Sequence, residues 1–139
     1  MGKLSVGPAN YTALVTKGDT AWRLSAVETE QRLHFAVNTV QHGGDDVFVN
    51  SPTRLQPGEW HHIAGTYNGK VLSLYLDGQL NSTNAWTGGI SRNDFDVLIG
   101  ENAQDTNRCF DGLMDEVQVY NYALGANAIK ALAAGAAVP

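Results

Sequence analysis

The stretch Gly100–Asp111 concentrates side chains whose oxygens could bind a metal ion. Its sequence, GENAQDTNRCFD, crowds one loop between two candidate strands with Glu101, Asn102, Gln104, Asp105 and Asn107. Calcium takes six to eight oxygen ligands from carboxylates, amides and carbonyls, and flexible loops supply them. The stretch is therefore a candidate calcium site, and a polar loop that is merely solvated is the alternative.

Asp115 is the second acid that calls for an account. In the run LMDEVQVY (113–120) it alternates with Val117 and Val119, so we expect it on the inward face of a strand. A carboxylate that points inward must accept hydrogen bonds or bind a cation, because burial of a bare charge is expensive. Either backbone N–H groups of a neighbouring loop hold Asp115, or a metal ion does.

No arrangement of residues predicts catalysis. Asp115 and Glu116 are adjacent, so on a strand they point to opposite faces and cannot act as a pair. His61 and His62 are neighbours on a candidate strand, and no His-Glu-x-x-His pattern supports a zinc site. The Gly-x-Ser-x-Gly turn of hydrolases is absent as well. We therefore expect a protein that is not an enzyme.

Exposed aromatic rings are the candidates for sugar binding, since Trp and Tyr combine an apolar face with a polar edge. Trp86 follows a candidate strand and precedes Thr87-Gly88-Gly89, which favours an exposed ring on a loop. Trp60 begins a central strand and is expected in the core, while Trp22 lies in an alternating strand and could face either way. Arg54, in a proline-containing loop, could bind hydroxyls or a carboxylate.

The composition of the chain argues against some classes of partner. The chain of 139 residues has 14 acidic and 9 basic residues, a net charge of −5, which does not fit a nucleic-acid-binding surface. No apolar run reaches the ~20 residues that span a bilayer, and residues 1–10 lack the layout of a signal peptide. The single cysteine, Cys109, forms no intrachain disulfide and is expected to be a small buried hydrophobe.

Short alternating runs separated by turn residues predict an all-β fold. The predicted strands are Tyr11–Lys17, Trp22–Glu28, Arg32–Asn38, Asp46–Asn50, Trp60–Tyr67, Val71–Asp77, Gln79–Ala85, Asp96–Gly100 and Leu113–Tyr120. Asn68-Gly69 and Asp77-Gly78 favour type I′ hairpin turns, and Ser51–Gly58, with two prolines, is a predicted loop. Only Ala126–Ala134 is predicted to be helical. The pattern indicates an antiparallel β-sandwich or barrel with a short C-terminal helix.

The second hairpin strand predicts which face is buried. Leu72, Leu74 and Leu76 share one face of Val71–Asp77, while Ser73, Tyr75 and Asp77 share the other. We expect the three leucines to point into the core.

Two segments carry a resemblance to a known family. Leu55–Leu80 (LQPGEWHHIAGTYNGKVLSLYLDGQL) resembles the central hairpins of laminin-G-like jelly rolls of the concanavalin A-like lectin/glucanase superfamily. The shared residues are Gly58, Trp60, His62, Tyr67, Gly69, Tyr75, Asp77 and Gly78. Phe110–Leu124 is similar to the closing strand of the family, which a short helix usually follows. The resemblance implies a single jelly-roll domain over residues 1–139.

The resemblance also bears on metal binding and catalysis. Gly100–Asp111 is similar to the calcium loop of pentraxins, which implies Glu101 and Asp105 as ligands, with Asn10 at the position of an early ligand pair whose acidic member is missing here. In some relatives the counterpart of Asp115 binds calcium. Laminarinase-like relatives carry Glu-x-Asp-x-Glu on one strand for glycoside hydrolysis, and this chain has no such motif.

The same resemblance implies an incomplete sheet. Relatives open with one or more strands before the part that corresponds to Tyr11–Lys17, and residues 1–10 are too short to supply them. A missing strand leaves backbone groups unpaired, so we expect either a second copy to cover the gap in a homodimer or a fold that closes with fewer strands.

The resemblance thus implies a non-catalytic module, extracellular or on the cell surface, that binds a glycan or an extracellular protein, with calcium as a candidate cofactor and Trp86 and Arg54 as candidate ligand-binding residues. A structural or oligomerisation module is the alternative. A glycoside hydrolase is a third alternative, and it requires two carboxylates that meet across a cleft.

Overall fold

The structure, a computed structural model, describes residues 11–27, 30–40 and 46–135. These form eight strands and one helix. The strands are β1 (Tyr11–Thr16), β2 (Trp22–Val27), β3 (Arg32–Asn38), β4 (Asp46–Arg54), β5 (Ile63–Tyr67), β6 (Val71–Leu76), β7 (Gln79–Ala85) and β8 (Leu98–Ile99), and the helix is α1 (Ala126–Ala133).

The strands form two antiparallel sheets. One has the order β4-β3-β2-β1-β8 and the other the order β5-β6-β7, with every neighbouring pair antiparallel. β7 contacts β4, and β6 contacts both β4 and β3, so the smaller sheet covers the β4 half of the larger one. The predicted β-sandwich with a short C-terminal helix is confirmed.

The core lies between the sheets. The three leucines of β6 are 0%, 0% and 8% exposed and pack with Leu33, Phe35 and Val37 of β3, so the prediction that they face inward is confirmed. Gly65 of β5 allows this close approach, because a Cβ at that position would lie 2.8 Å from the ring of Phe35. Any other residue would push the two sheets apart.

The helix covers the other face of the smaller sheet. Ile129 of α1 and Tyr75 of β6 form a second apolar cluster with Leu124. Gly135, with φ +88, follows the helix, as glycine commonly does. The helix α1 has eight residues, and no described helix is long and apolar enough to cross a membrane.

The two hairpin turns of the smaller sheet differ from each other. Asp77 and Gly78 have φ +52 and +79, as a type I′ turn requires, so this prediction is confirmed. The same prediction is wrong for Asn68, which does not have positive φ. Its side-chain Oδ1 instead accepts hydrogen bonds from the N–H groups of Lys70 and Val71, both at 2.9 Å, which holds a longer turn.

The predicted closing strand is wrong. None of the segment 113–120 is in a strand, and Glu116 has φ +53, which breaks an extended backbone. The expected inward face is also wrong, because Val117 and Val119 are 38% and 60% exposed. No described strand lies beside β5 on its outer edge, so this segment has no neighbour that would hold it extended.

The sandwich therefore has two unlike sides. At the side formed by β4 and β7, called here the closed side, the edges of the two sheets contact each other. At the other side, the open side, the larger sheet extends past β5 to β1 and β8. There the core is covered by Phe110 and Met114 from the segment that precedes the helix.

Candidate functional site

A bulge in β4 shapes the closed side. Arg32 of β3 lies opposite Arg54, yet His34, two residues on, lies opposite Asn50, so β4 has extra residues at this point. Pro52 lies in the bulge, and proline is tolerated in strands at edges and bulges because it cannot donate to the ladder. The predicted Ser51–Gly58 loop is therefore wrong for residues 51–54, which belong to the edge strand.

Side chains of β7 bind this bulge. Asn81 donates from Nδ2 to Thr53 Oγ1 at 3.0 Å, and its Oδ1 accepts from the buried Ser51 hydroxyl at 2.5 Å. Asn84 Nδ2 donates to the Phe48 carbonyl at 2.8 Å. The polar groups of the β4 edge thereby find partners inside the protein, which fixes the bulge in place.

The bulge opens into a shallow cleft of about 530 Å³ that is largely open to solvent. Its walls come from β3, β4, β7 and the turn before β3, and they mix polar groups with the apolar surface of Pro52 and of the arginine stems. The lining residues are Glu30, Arg32, Asn50, Ser51, Pro52, Arg54 and Ser82. No aromatic ring lines it, so the cleft offers hydrogen bonds and charge in place of stacking.

The two arginines of the cleft differ in their partners. Arg32 lies 3.7 Å from the Glu30 carboxylate and donates to the carbonyls of Ser51 and Pro52. Arg54 is exposed, and no hydrogen bond or ion pair joins it to any described residue. Because Arg32 and Arg54 face each other across the strand pair, the cleft has an excess of positive charge in a protein whose net charge is −5.

A buried histidine orients one wall of the cleft. His34, 2% exposed, donates from Nδ1 to Asn50 Oδ1 at 2.6 Å. Burial lowers the pKa of His34 from 6.5 to about 4, although the Asn50 hydrogen bond opposes the shift, so the ring is neutral at pH 7. Since Asn50 uses its oxygen on His34, its amide nitrogen is left to donate into the cleft.

The oxygen-rich loop is used mainly inside the protein. Gln104 Oε1 accepts hydrogen bonds from the N–H groups of Asp19 and Thr20, at 2.6 and 2.9 Å. Asn102, fully buried, donates to Asp19 Oδ1 at 2.7 Å. Gly18, with φ +64, precedes this turn, and a Cβ there would meet Gln104 Oε1 at 2.3 Å. The loop therefore anchors the β1–β2 turn.

Arginine side chains form ion pairs with the acidic side chains of the same region. Arg108 lies 2.8 Å from Asp19 Oδ1 and 3.0 Å from Asp105 Oδ2, and Arg23 lies 2.6 Å from Asp46 Oδ2. A calcium ion at Asp105 would have to displace a guanidinium, so the described residues of this loop do not fit the ion. Asn10 lies outside the described residues. Among those described, no three His, Cys, Asp or Glu side chains form a group that could hold a metal.

Asp115 does not join the described acidic residues of this loop in a group that could hold a metal ion. It is exposed, and its Oδ1 accepts a hydrogen bond from the N–H of the next residue, Glu116, at 2.8 Å. The prediction that it points into the core is wrong, because the strand that would have turned it inward is absent. The acid instead holds the local kink at Glu116.

The tryptophans lie differently from the prediction. Trp86 is half-buried against the core, and its Nε1 donates to Thr39 Oγ1 at 3.0 Å, so the expected exposed ring is wrong. Trp60, expected in the core, is 63% exposed, because β5 begins only at Ile63. Trp22 packs against the core. Cys109, expected to be buried, is exposed.

The histidine pair before β5 is held by Asp77. His61 Nδ1 lies 3.0 Å from Asp77 Oδ2, and the His62 N–H donates to Oδ1 of the same carboxylate at 2.9 Å. Burial lowers the pKa of His62, with Asp77 opposing the shift. The carboxylate thus fixes the start of β5 against the β6–β7 turn, which is a structural role.

Sequence reasoning found Arg54 but not the other walls of its cleft. Glu30, Arg32, Asn50 and Ser82 were not predicted, because the bulge that gathers them depends on register, which the sequence does not display. A proline inside an otherwise strand-like run is the signal that could have indicated an edge strand with a bulge.

The two antiparallel sheets and the short C-terminal helix define a β-sandwich of the concanavalin A-like kind. The chain belongs to the Concanavalin A-like lectin/glucanases superfamily, whose laminin G-type family matches residues 3–130. An S-layer domain-containing protein of Clostridium thermocellum (residues 221–444) is similar in structure, with 21% sequence identity and a TM-score of 0.48. The match covers 94% of this chain and 66% of that one. No curated protein matches the chain.

Proposed function

We propose that the protein is a non-catalytic recognition module that binds a glycan, or a segment of an extracellular protein, in the cleft at the β4 bulge. One observation carries the proposal. Arg54 presents a guanidinium without a described partner inside a polar cleft whose other walls are held by hydrogen bonds. Since the hydrogen-bonded walls are already ordered, Arg54 is the main side chain that a ligand would have to immobilise, at a cost of about 0.5–1.5 kcal/mol. Family membership supports an extracellular or cell-surface location.

The chemistry of the cleft does not support glycoside hydrolysis. Two carboxyl groups, about 5–9.5 Å apart, are needed to act as acid and base or nucleophile. Among the lining residues only Glu30 has a carboxylate, and Arg32 lies beside it. The cleft is therefore suited to holding a ligand and not to cleaving it.

A glycan array probed with the wild-type protein, Arg54→Ala and a control variant tests this proposal. Arg92→Ala is the matched control, since Arg92 is also exposed and without a described partner but does not line the cleft. We expect binding to be lost in Arg54→Ala and kept in Arg92→Ala. Equal binding by both variants would place the site elsewhere.

Trp86→Ala should lower the melting temperature, because that ring packs on the core.

We propose calcium-independent binding, since the described loop oxygens contact donors of the protein and not an open site. Array signals should therefore be the same in calcium and in chelator. A signal that requires calcium would restore Glu101, Asp105, Asn10 and Asp115 as candidate ligands.

A second candidate function, pairing with another copy, is favoured by the β5 edge. His62 accepts from the Asp77 N–H and Asn68 donates to the Val71 carbonyl, so by alternation Ala64 and Thr66 face β6 while the backbone groups of Ile63, Gly65 and Tyr67 face outward. No described strand covers them. The strand IAGTY has no charge, proline or bulge, the devices that normally protect an edge. Antiparallel pairing of β5 with β5 of a second copy would satisfy these groups by two-fold symmetry.

Sedimentation of two threonine-to-lysine variants tests this candidate. Thr66→Lys places a charge on the β5 edge, and Thr83→Lys places the same charge on β7, the opposite edge of the same sheet. We expect wild type and Thr83→Lys to be dimeric at high concentration and Thr66→Lys to be monomeric. A monomeric wild type at every concentration would contradict self-pairing.

A further inference from the structure

The charges of the cleft indicate which ligand it takes. Arg32 is already balanced by Glu30 at 3.7 Å and by two carbonyls, whereas Arg54 is not balanced by any described group. Among the residues that line the cleft, two arginines and one glutamate leave an excess of one positive charge, and a second negative charge on a ligand would meet Glu30. We infer that the cleft selects a sugar that bears a single carboxylate, such as a hexuronic acid residue, with Arg54 as the residue that binds the carboxylate. This inference rests on the proposed function of the cleft.

The shape of the donor group supports a carboxylate in particular. The guanidinium presents a planar fork of N–H groups that matches the two coplanar oxygens of a carboxylate and forms two parallel hydrogen bonds. Arg54 ends the bulged strand directly opposite Arg32, and the neighbouring cation adds to the attraction for an anion. A neutral sugar would leave the Arg54 guanidinium without a charged partner among the described residues, whereas Arg32 keeps Glu30.

The remaining walls fit hydroxyl groups of the same sugar. Asn50 offers its amide nitrogen, because its oxygen accepts the His34 hydrogen bond. The Ser82 hydroxyl, in the cleft wall contributed by β7, has no described partner and can donate or accept. Glu30 supplies an acceptor at the opposite rim. These groups combine donors and acceptors, which suits hydroxyls that do both.

A lone surface arginine that is merely solvated is the plain alternative. The local sign of charge argues against it, since the protein carries −5 overall while this cleft collects two guanidiniums opposite each other. Like charges directly opposite on neighbouring strands are destabilising. A ligand carboxylate would remove that repulsion.

Calorimetric titration with the methyl glycoside of galacturonic acid, which bears one carboxylate, and with its carboxyl-reduced counterpart, methyl galactoside, tests the inference. The two probes differ only in charge and in the planar oxygen pair. We expect the wild type to bind the acid about 10- to 100-fold more tightly, the range that corresponds to a charge-assisted hydrogen-bond pair. Arg54→Ala should reduce that ratio to about one, and Arg92→Ala should keep it. Arg54→Lys, which keeps the charge and loses the fork, should give an intermediate ratio.

The possible failures are distinguishable. If the wild type binds both probes equally and Arg54→Ala weakens both, the cleft is the ligand site but carboxylate selection is wrong. If neither probe binds and the array with other glycans also stays silent, the proposed function fails as well. A methyl galactoside that carries one sulfate group and binds as tightly as the acid would show that the cleft recognises any anion, which would overturn the carboxylate assignment. Unchanged melting temperatures of the arginine variants confirm that folding is not the cause.

Discussion

The sheet edges at the closed side and at the open side of the sandwich differ in how their backbone groups are protected. On the closed side the bulge at Pro52 interrupts the β4 edge, and Asn81 and Asn84 of β7 supply hydrogen bonds to it. On the open side the β5 edge is flat and uncharged, and Leu113 and Val119 are 69% and 60% exposed. Edges that can pair freely are the ones natural proteins protect unless pairing is wanted. We propose that the closed side holds a small ligand and that the open side pairs with another chain.

Core substitution should separate the two regions most strongly. Leu74 is fully buried between the sheets, so Leu74→Ala should reduce the free energy of unfolding by about 3–4 kcal/mol through lost burial and a cavity. Leu113→Ala on the open side should change it by less than about 0.5 kcal/mol, as exposed sites do. Urea unfolding of both variants measures this. Similar losses would mean that the open side is packed in solution.

Acid should weaken the closed side through His34. Its pKa is about 4 in the folded protein and 6.5 unfolded, so the unfolded state binds more protons between these values and stability is full above pH 6.5 and falls as pH decreases towards 4. Between pH 7 and pH 5 the free energy of unfolding should drop by about 2 kcal/mol. His34→Gln should remove most of that slope in urea unfolding at both pH values. A slope unchanged in His34→Gln would contradict the burial of a neutral ring.

Loss of a hydrogen bond from β7 to the bulge should lower the free energy of unfolding by less than the core substitution does, but by a measurable amount. Asn81→Ala leaves the buried Ser51 hydroxyl without its Asn81 partner and should cost about 1–2 kcal/mol. Asn107→Ala, at an exposed asparagine whose side chain makes no hydrogen bond to a described residue, should be neutral. Thermal unfolding compares the two. Equal effects would show that the closed side is not held by these bonds.

Calcium should have the smallest effect. A ligand stabilises the folded state by RT ln(1 + [L]/Kd), about 2.7 kcal/mol at a hundred times its dissociation constant. Because Arg108 pairs with Asp105 and the amides of Asn102 and Gln104 bind the β1–β2 turn, we expect calcium and chelator to give the same melting temperature. A rise with calcium would show that the loop rearranges around the ion.

The local elements and the β-sandwich class were predictable from the sequence, whereas the strand register and the contacts at the sheet edges were not. Period-two alternation located β1, β2 and β3, and Asp77-Gly78 indicated its turn, since these depend on neighbours along the chain. The kink at Glu116 depends on whether a partner strand is present, so Leu113–Tyr120 looked like a strand in isolation. Arg54 was found from its loop, whereas Arg32 and Asn50 join it only through the register of β3 with β4. Trp60 was predicted to be buried and is exposed, and Trp86 was predicted to be exposed and packs on the core. Both outcomes depend on where the strands end and which elements lie beside them.

One nuclear magnetic resonance experiment tests the central claim that the two sides bind different partners. Amide spectra are recorded twice, once with increasing methyl glycoside of galacturonic acid and once with increasing protein concentration alone. We predict that the acid shifts the amides of Asn50, Arg54 and Ser82, and that concentration affects those of Ile63, Gly65 and Tyr67 without moving the first set. Shifts in both titrations confined to the same residues, or no shift at Arg54 with any acid, would contradict the division of the molecule into a ligand side and a pairing side.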